Sequence, residues 1–432
     1  MRRAPAALSV SIALVAALAS PATARADALG LFGDGARAAG VARADLARSD
    51  PADAARQNPA LAAEPGAAAR LGYGYADLHL LLDGADAGVA HVSGVDLGGQ
   101  VGIRLSSNVF AGAALSLHLP DQHLALVGFR PATEPQFVRY EAPLQRTSVD
   151  VAAALRYRWI SIGGGVAAGL SVGGDGMRFD LGQDAHGTYA DAALDVALPY
   201  RLAPIAGVRV DLGRAAFGAS FRGALGIDLG LDSDVRIHLF NNPLNGSAKV
   251  NVGGVSGWDP ATIALGGQVS LGRGWSVMAS LEYAVFSAAP PPVADVELDV
   301  SLGTTPGLRK AHLDLPRFHD TLTPRLGVEL RRPLDGRGRA VIGRAGYAFA
   351  PSPVPAQTSF TSFADADRHQ IALGGGLRLG RVLGLDLALD LAMQLHLLAP
   401  RVEDKSPALP HAHYEVTGRI LHGAATLEAA WR

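Results

Sequence analysis

The sequence predicts an all-β fold, a transmembrane antiparallel β-barrel of about fourteen strands with an N-terminal plug in its lumen, and three observations predict it. The chain is 49% hydrophobic and only 18% charged, with a mean hydropathy of +0.19, whereas a soluble globule of this length is normally more charged. Beyond Pro21 no apolar run reaches the roughly 18 residues of a membrane-spanning helix. Apolar residues instead recur at every second position, and the connections between the alternating segments are short and long in turn. Outer-membrane barrels show this rhythm, with short turns on one side of the membrane and long loops on the other.

The N-terminus sets the compartment. Arg2 and Arg3 precede an apolar run from Ala6 to Leu18, followed by a small-residue exit at Ala24, Arg25 and Ala26. This reads as a secretory signal peptide over residues 1–26, removed so that the mature chain starts at Asp27. Residues 27–66 are alanine-rich, carry Gly30, Gly33, Gly35 and Gly40, and show no sustained period of two. Short helical turns from Arg43 towards Asn58, Pro59 and Ala60 make this segment a plug for the lumen of a wide barrel.

Residues 67–432 form the predicted barrel. Alternating segments fall near 68–81, 97–106, 109–118, 146–157, 159–172, 203–212 and 215–228, then 261–271, 274–287, 322–332, 339–350, 367–379, 382–397 and 413–431. The clearest has Leu383, Leu385, Leu387, Leu389, Leu391, Met393, Leu395 and Leu397 against Asp386, Asp390, Gln394 and His396. A period of two puts the two sets on opposite faces of a strand. Residues 188–198 and 246–255 also alternate; they fit strands or loop and are assigned to long outer loops. Short turns are expected at 107–108, 158, 213–214, 272–273, 333–338 and 380–381. An even strand count leaves both termini on the short-turn side, the periplasm. Trp159, Trp275 and Trp431 all fall at that rim, where indole rings favour the membrane interface.

Composition narrows the chemistry. There is no cysteine, which excludes disulfides, thiolate metal sites and cysteine nucleophiles. Removing Arg2, Arg3 and Arg25 from the 38 basic residues leaves 35 against 40 acidic ones, so nucleic acid is a poor partner. A closed barrel has no free edge and needs no second copy, which points to a monomer.

Asn58–Pro59–Ala60, preceded by Gly30, Phe32, Gly35, Ala38 to Ala42, Asp50 and Asp53, resembles the mature N-terminus of the FadL/TodX family of outer-membrane transport proteins. Two further stretches carry the likeness. One runs from Arg344 to Tyr347 through Pro351, Pro353, Pro355, Asp365, Asp367 and Arg368. The other links Trp258 and Pro260 to Leu265, Gly266 and Gly267, with Trp275 beyond. Leu61 and the terminal Arg432 depart from the family pattern.

The resemblance implies passive uptake of a long-chain fatty acid or another hydrophobic compound, captured in the lumen and released past the plug through the wall. A family-related barrel acting in secretion or surface assembly is the alternative. Partners are then a hydrophobic ligand and outer-membrane lipid, with no cofactor and no enzymatic role. Glu282, Arg325, Glu329, Arg344, Arg368, Arg378, Asp386 and Asp390 lie on inward-facing positions and are expected to line the lumen and tie wall to plug. An arginine among them also suits a carboxylate headgroup.

Other constellations carry less chemistry. His411 and His413 lack a third metal ligand. Gly163–Gly165 and Gly374–Gly376 lie within strands with no helix following, so they suit a close plug or a bend rather than a phosphate. Asp386 and Asp390 have only His396 or His422 as partners for hydrolysis. The sequence does not place a lateral opening; in the third strand only Gly112 hints at a disrupted ladder.

Overall fold

The structure is a computed structural model describing residues 35–48, 50–121, 133–140, 147–170, 173–184, 187–197, 200–239, 246–290, 295–302, 316–336 and 338–431. The expected signal peptide lies outside the described residues. Fourteen strands form the wall: β1 (Gly66–Leu82), β2 (Val92–Arg104), β3 (Val109–Pro120), β4 (Ser148–Tyr157), β5 (Ile160–Leu170), β6 (Tyr200–Asp211) and β7 (Ala215–Arg222). The second half comprises β8 (Ala261–Gly272), β9 (Trp275–Val285), β10 (Thr321–Pro333), β11 (Ala340–Ala350), β12 (Arg368–Val382), β13 (Leu385–Asp404) and β14 (His413–Trp431). Each pairs antiparallel with its neighbours in sequence, and β1 pairs with both β2 and β14, so the sheet closes on itself. Closure satisfies every interior backbone group without water, which is why a strand-built wall tolerates lipid.

The alternation sorts the faces as expected. On β1, Leu71, Tyr73 and Tyr75 are exposed outward, while Arg70, Ala76, Leu78 and Leu80 are buried inward. On β13, Leu389, Leu391 and Met393 face out, while Asp390, Gln394 and His396 are buried. Trp159, Trp275 and Trp431 are all exposed at the short-turn end.

Three features differ from the expectation. Residues 187–197 and 246–259 are strands, but they join 173–184, 225–239 and 295–302 in a separate five-stranded sheet within the long connections. Their alternation is real without adding to the wall, because period two reports a strand and not its sheet. This second sheet also shortens the seventh wall strand, which ends at Arg222; its continuation, Leu225–Leu239, pairs with Gly246–Asp259 instead.

The turn between β12 and β13 falls at Leu383–Gly384 rather than 380–381, after a register shift between Arg378 and Gly380 lengthens the hairpin. Both turn residues have positive φ, 52° and 86°, as a two-residue hairpin turn of this hand requires. Finally, β3 pairs with β2 and β4 without a register break through Gly112. That glycine serves the N-terminal segment instead, as its contacts below make plain.

Candidate functional site

The N-terminal segment lies inside the barrel and touches every strand. Its described residues form a short helix, α1 (Ala36–Gly40), and two 3-10 turns, Pro51–Asp53 and Pro59–Ala63. Asp50 caps the first turn through Ala52 N at 3.1 Å, and Asn58 caps the second through Ala60 N at 3.1 Å. In both, proline follows the cap, where its missing N–H costs nothing. Asn58 also donates from Nδ2 to Val208 O at 3.3 Å and Leu46 O at 3.4 Å, so one side chain caps a turn and ties it to β6.

Small residues on both sides allow the close approach. A Cβ at Gly163 would collide with the Pro59 carbonyl, one at Gly112 with Ala62 O, and one at Gly346 with Val41. At Gly374 it would sit 2.9 Å from Gly40 Cα. The expectation that Gly163 and Gly374 admit the plug therefore matches their contacts, and the alanines of the segment bury completely against this lining.

Ion pairs hold the segment and brace the wall. Arg344 donates to Glu329 at 2.8 Å and to Asp390 at 2.6 Å; Arg378 reaches Asp390 at 2.9 Å, and Arg37 of the segment approaches Glu329 at 3.7 Å. Burial alone would lower the Arg37 pKa, yet Glu329, Asp45 and Asp50 raise it above the ordinary arginine value and keep it charged. Arg325 pairs with Glu282 at 2.8 Å.

The sequence did not single out the other ties. Arg56 meets Asp150 at 3.3 Å and Arg48 meets Asp211 at 3.0 Å. Glu64 takes Arg156 at 3.2 Å and also pairs with Arg209, while Arg70 pairs with Asp53. All these wall positions face inward, so strand parity could have found them; their partners in an irregular segment had no such signal. Of the expected lumen residues, Asp386 stands apart, half-buried near the short-turn end and across the register from Arg381. Arg368 is buried higher up, its guanidinium 6.0 Å from the Tyr140 ring.

Above the charged zone the lumen turns apolar. Residues 133–140 and 351–367 fold into the mouth at the long-loop end, where Gln136–Phe137 and Phe363–Ala364 pair in parallel. Phe137, Tyr140 and Ala364 pack against Leu80, Tyr414 and Ile420 on one side, and Phe363 packs with Val138, Val354 and Phe318 on the other, its ring 6.1 Å from that of Phe318 between centroids. Trp258 and Phe286 extend this cluster, 6.1 Å apart.

The end of β13 clamps the strap of residues 351–367. Arg401 donates to Val354 O at 2.7 Å, Glu403 accepts from Gln357 N at 2.8 Å, and Lys405 donates to Ser362 Oγ at 2.9 Å. Burial lowers the pKa of Lys405, which the carboxylate of Glu403 partly opposes.

Among the described residues, cavities open in the charged part of the lumen. One, about 90 Å³, is lined by Arg43, Arg56, Asp150, Arg222 and Glu282, among others; the second, about 30 Å³, by Arg43, Arg139, Arg325, Arg368 and Phe286. Among the described residues no group of three His, Asp or Glu side chains is placed to hold a metal. His396 and His422 both contact Gln394 Oε1, at 3.2 and 3.0 Å, and neither is hydrogen-bonded to Asp386 or Asp390.

No protein-family model matches the chain. No curated protein matches it either. Solved structures do. A Pseudomonas aeruginosa FadL homologue superposes with a TM-score of 0.54 at 14% identity, covering 95% of this chain and 99% of its own. The toluene transporters TodX of Pseudomonas putida and TbuX of Ralstonia pickettii give TM-scores of 0.46 and 0.44 at 14% and 13% identity. The first covers 87% of this chain and 93% of its own; the second covers 91% and 98%. The fold is FadL-like over nearly the whole chain.

Proposed function

We propose that this chain is an outer-membrane transporter for passive uptake of hydrophobic small molecules, of which long-chain fatty acids and hydrocarbons are the chemical classes the site suits. Residues 1–26 are removed as a signal peptide, 27–66 act as the plug, and the mature chain works as a monomer with both termini periplasmic. The observation that carries this reading is the layered lumen. An aromatic cluster packed beneath the long loops sits on a charged zone filled by the N-terminal segment. Such a path offers no continuous aqueous route for a hydrophilic solute, while its first layer is solvent-like for an apolar one.

Asn58, Pro59 and Ala60 seat the plug. Glu329, Arg344 and Asp390 hold its first helix through Arg37, and Glu282 and Arg325 hold the wall near the cavities. Release then proceeds past the plug and through the barrel wall. The test is growth of a strain lacking this protein on a long-chain fatty acid or on an aromatic hydrocarbon as sole carbon source, with and without the gene restored. Restored growth on either supports the reading. Growth that is the same with and without the protein on both, at limiting supply, overturns it.

A further inference from the structure

The outer mouth is closed by two pieces of loop, and only two residue pairs join them as a strand ladder. The shortest wall seam, between β6 and β7, runs from Ile205 to Asp211. The loop seam pairs only Gln136 with Phe363 and Phe137 with Ala364. Its backbone hydrogen bonds are long, 3.2 Å from Gln136 N to Ser362 O and 3.4 Å from Val138 N to Ala364 O, at the outer limit of useful geometry.

The strap is anchored on its far side by the clamps from Arg401, Glu403 and Lys405. Residues 133–140 are tied to the strap through the Ser362 hydroxyl on Thr133 O at 2.9 Å and Arg139 on Asp365 at 3.4 Å, while Phe137 and Tyr140 pack on Leu80, Tyr414 and Ile420 of the wall. A force that parts the two pieces therefore opens this seam before it strips the strap from β13.

The space behind the seam is already full. Phe137, Tyr140 and Phe363 are each at most 2% exposed. The cavities below them measure about 90 and 30 Å³. Pockets that hold a small molecule are about 300 Å³ or larger. We infer that residues 133–140 and 351–366 form a gate in which Phe137, Tyr140 and Phe363 occupy the chamber that cargo takes when it enters. Cargo is admitted when the Gln136–Phe363 seam opens and these rings give way to it. The inference rests on the transport reading above and adds what closes the path in its absence.

The chain has no cysteine, so an engineered crosslink reports on one place only. Phe137 and Ala364 are directly opposite in register, within the Cα separation a disulfide spans. The double variant Phe137→Cys/Ala364→Cys is expressed in cells lacking the native protein, and uptake of radiolabelled palmitate and of toluene is measured with the pair oxidised and after reduction by dithiothreitol. Heat-modifiable gel mobility checks that the barrel is folded.

The reduced form, in which Phe137 has also lost its ring, is expected to take up at least one probe faster than wild type, and oxidation to slow that uptake by about tenfold or more relative to the reduced form, as when the open state becomes a minor population. A fully crosslinked barrel that takes up the probe as fast as its reduced form overturns the gate. Phe363→Ala, which empties part of the chamber without a crosslink, is expected to speed uptake; unchanged or slower uptake in a folded barrel also counts against the gate. If wild-type cells take up neither probe faster than cells without the protein, the transport reading fails and the gate falls with it.

Discussion

Arg344 on β11 and Asp390 on β13 meet at 2.6 Å across the strand that separates them. The contact is possible because the intervening β12 presents Gly374 opposite Arg344 and Gly376 opposite Asp390. A Cβ at Gly376 would collide with Asp390 Oδ1 and lie 3.1 Å from Arg344 Nη1. The glycine run Gly374–Gly376 is thus the opening through which two wall strands share an ion pair. Both side chains are almost fully buried, so each charge depends on the other.

Arg344→Ala is expected to destabilise the barrel by about 3–5 kcal/mol, because it leaves Asp390 and Glu329 buried with fewer partners. Gly376→Ala, which only wedges the pair apart, is expected to cost about 1–3 kcal/mol. Urea unfolding of the barrel in lipid vesicles measures both. Equal stability of Arg344→Ala and wild type would show that the pair adds nothing to the wall.

Gly163→Ala drives a methyl group into the Pro59 carbonyl, whereas a Cβ at Gly375 has no atom within 4 Å. The first is expected to displace the Pro59–Ala63 turn and hasten trypsin cleavage after Arg56, while the second is neutral. Matching cleavage rates for the two variants would mean the segment does not depend on that contact.

Asn58→Ala removes the cap on Ala60 N and the donors to Val208 O and Leu46 O together. Loss of the cap alone is worth about 1 kcal/mol. The expected result is faster hydrogen exchange at Ala60 and Leu61 with the wall amides unchanged. Exchange that rises equally through the wall strands would instead assign Asn58 to barrel stability.

Asp320 sits outside the wall strands, just before β10. Burial would raise its pKa, but the hydroxyl of Tyr283 and the amide of Ser287, the latter at 2.8 Å, hold it below the ordinary carboxylate value. A depressed folded pKa stabilises the fold above the unfolded value of about 3.9, and that contribution is lost as pH falls through the folded value. The Ser287–Asp320 contact is therefore expected to loosen only in strong acid. Asp320→Asn is expected to flatten the acid limb of the melting midpoint below the ordinary carboxylate value. An identical acid limb in the variant would rule out this carboxylate as its source.

Period two, together with the short and long rhythm of the connections, determined the wall. The fourteen segments assigned to it on those two signals are the fourteen strands that close, since which face a residue takes on a strand is a local property. The same parity placed Glu282, Arg325, Glu329, Arg344, Arg368 and Asp390 on the inner face, and the shortage of charge fixed an apolar exterior. Pairing is non-local, and only the tertiary structure decided it. It sent the alternating residues 187–197 and 246–259 into a second sheet, left Gly112 in an unbroken ladder, and joined Arg344 to Asp390 through a gap that two glycines leave in β12. The closed mouth was out of reach of the sequence for the same reason: Gln136 and Phe363 lie in irregular segments far apart in the chain, where no period predicts a partner.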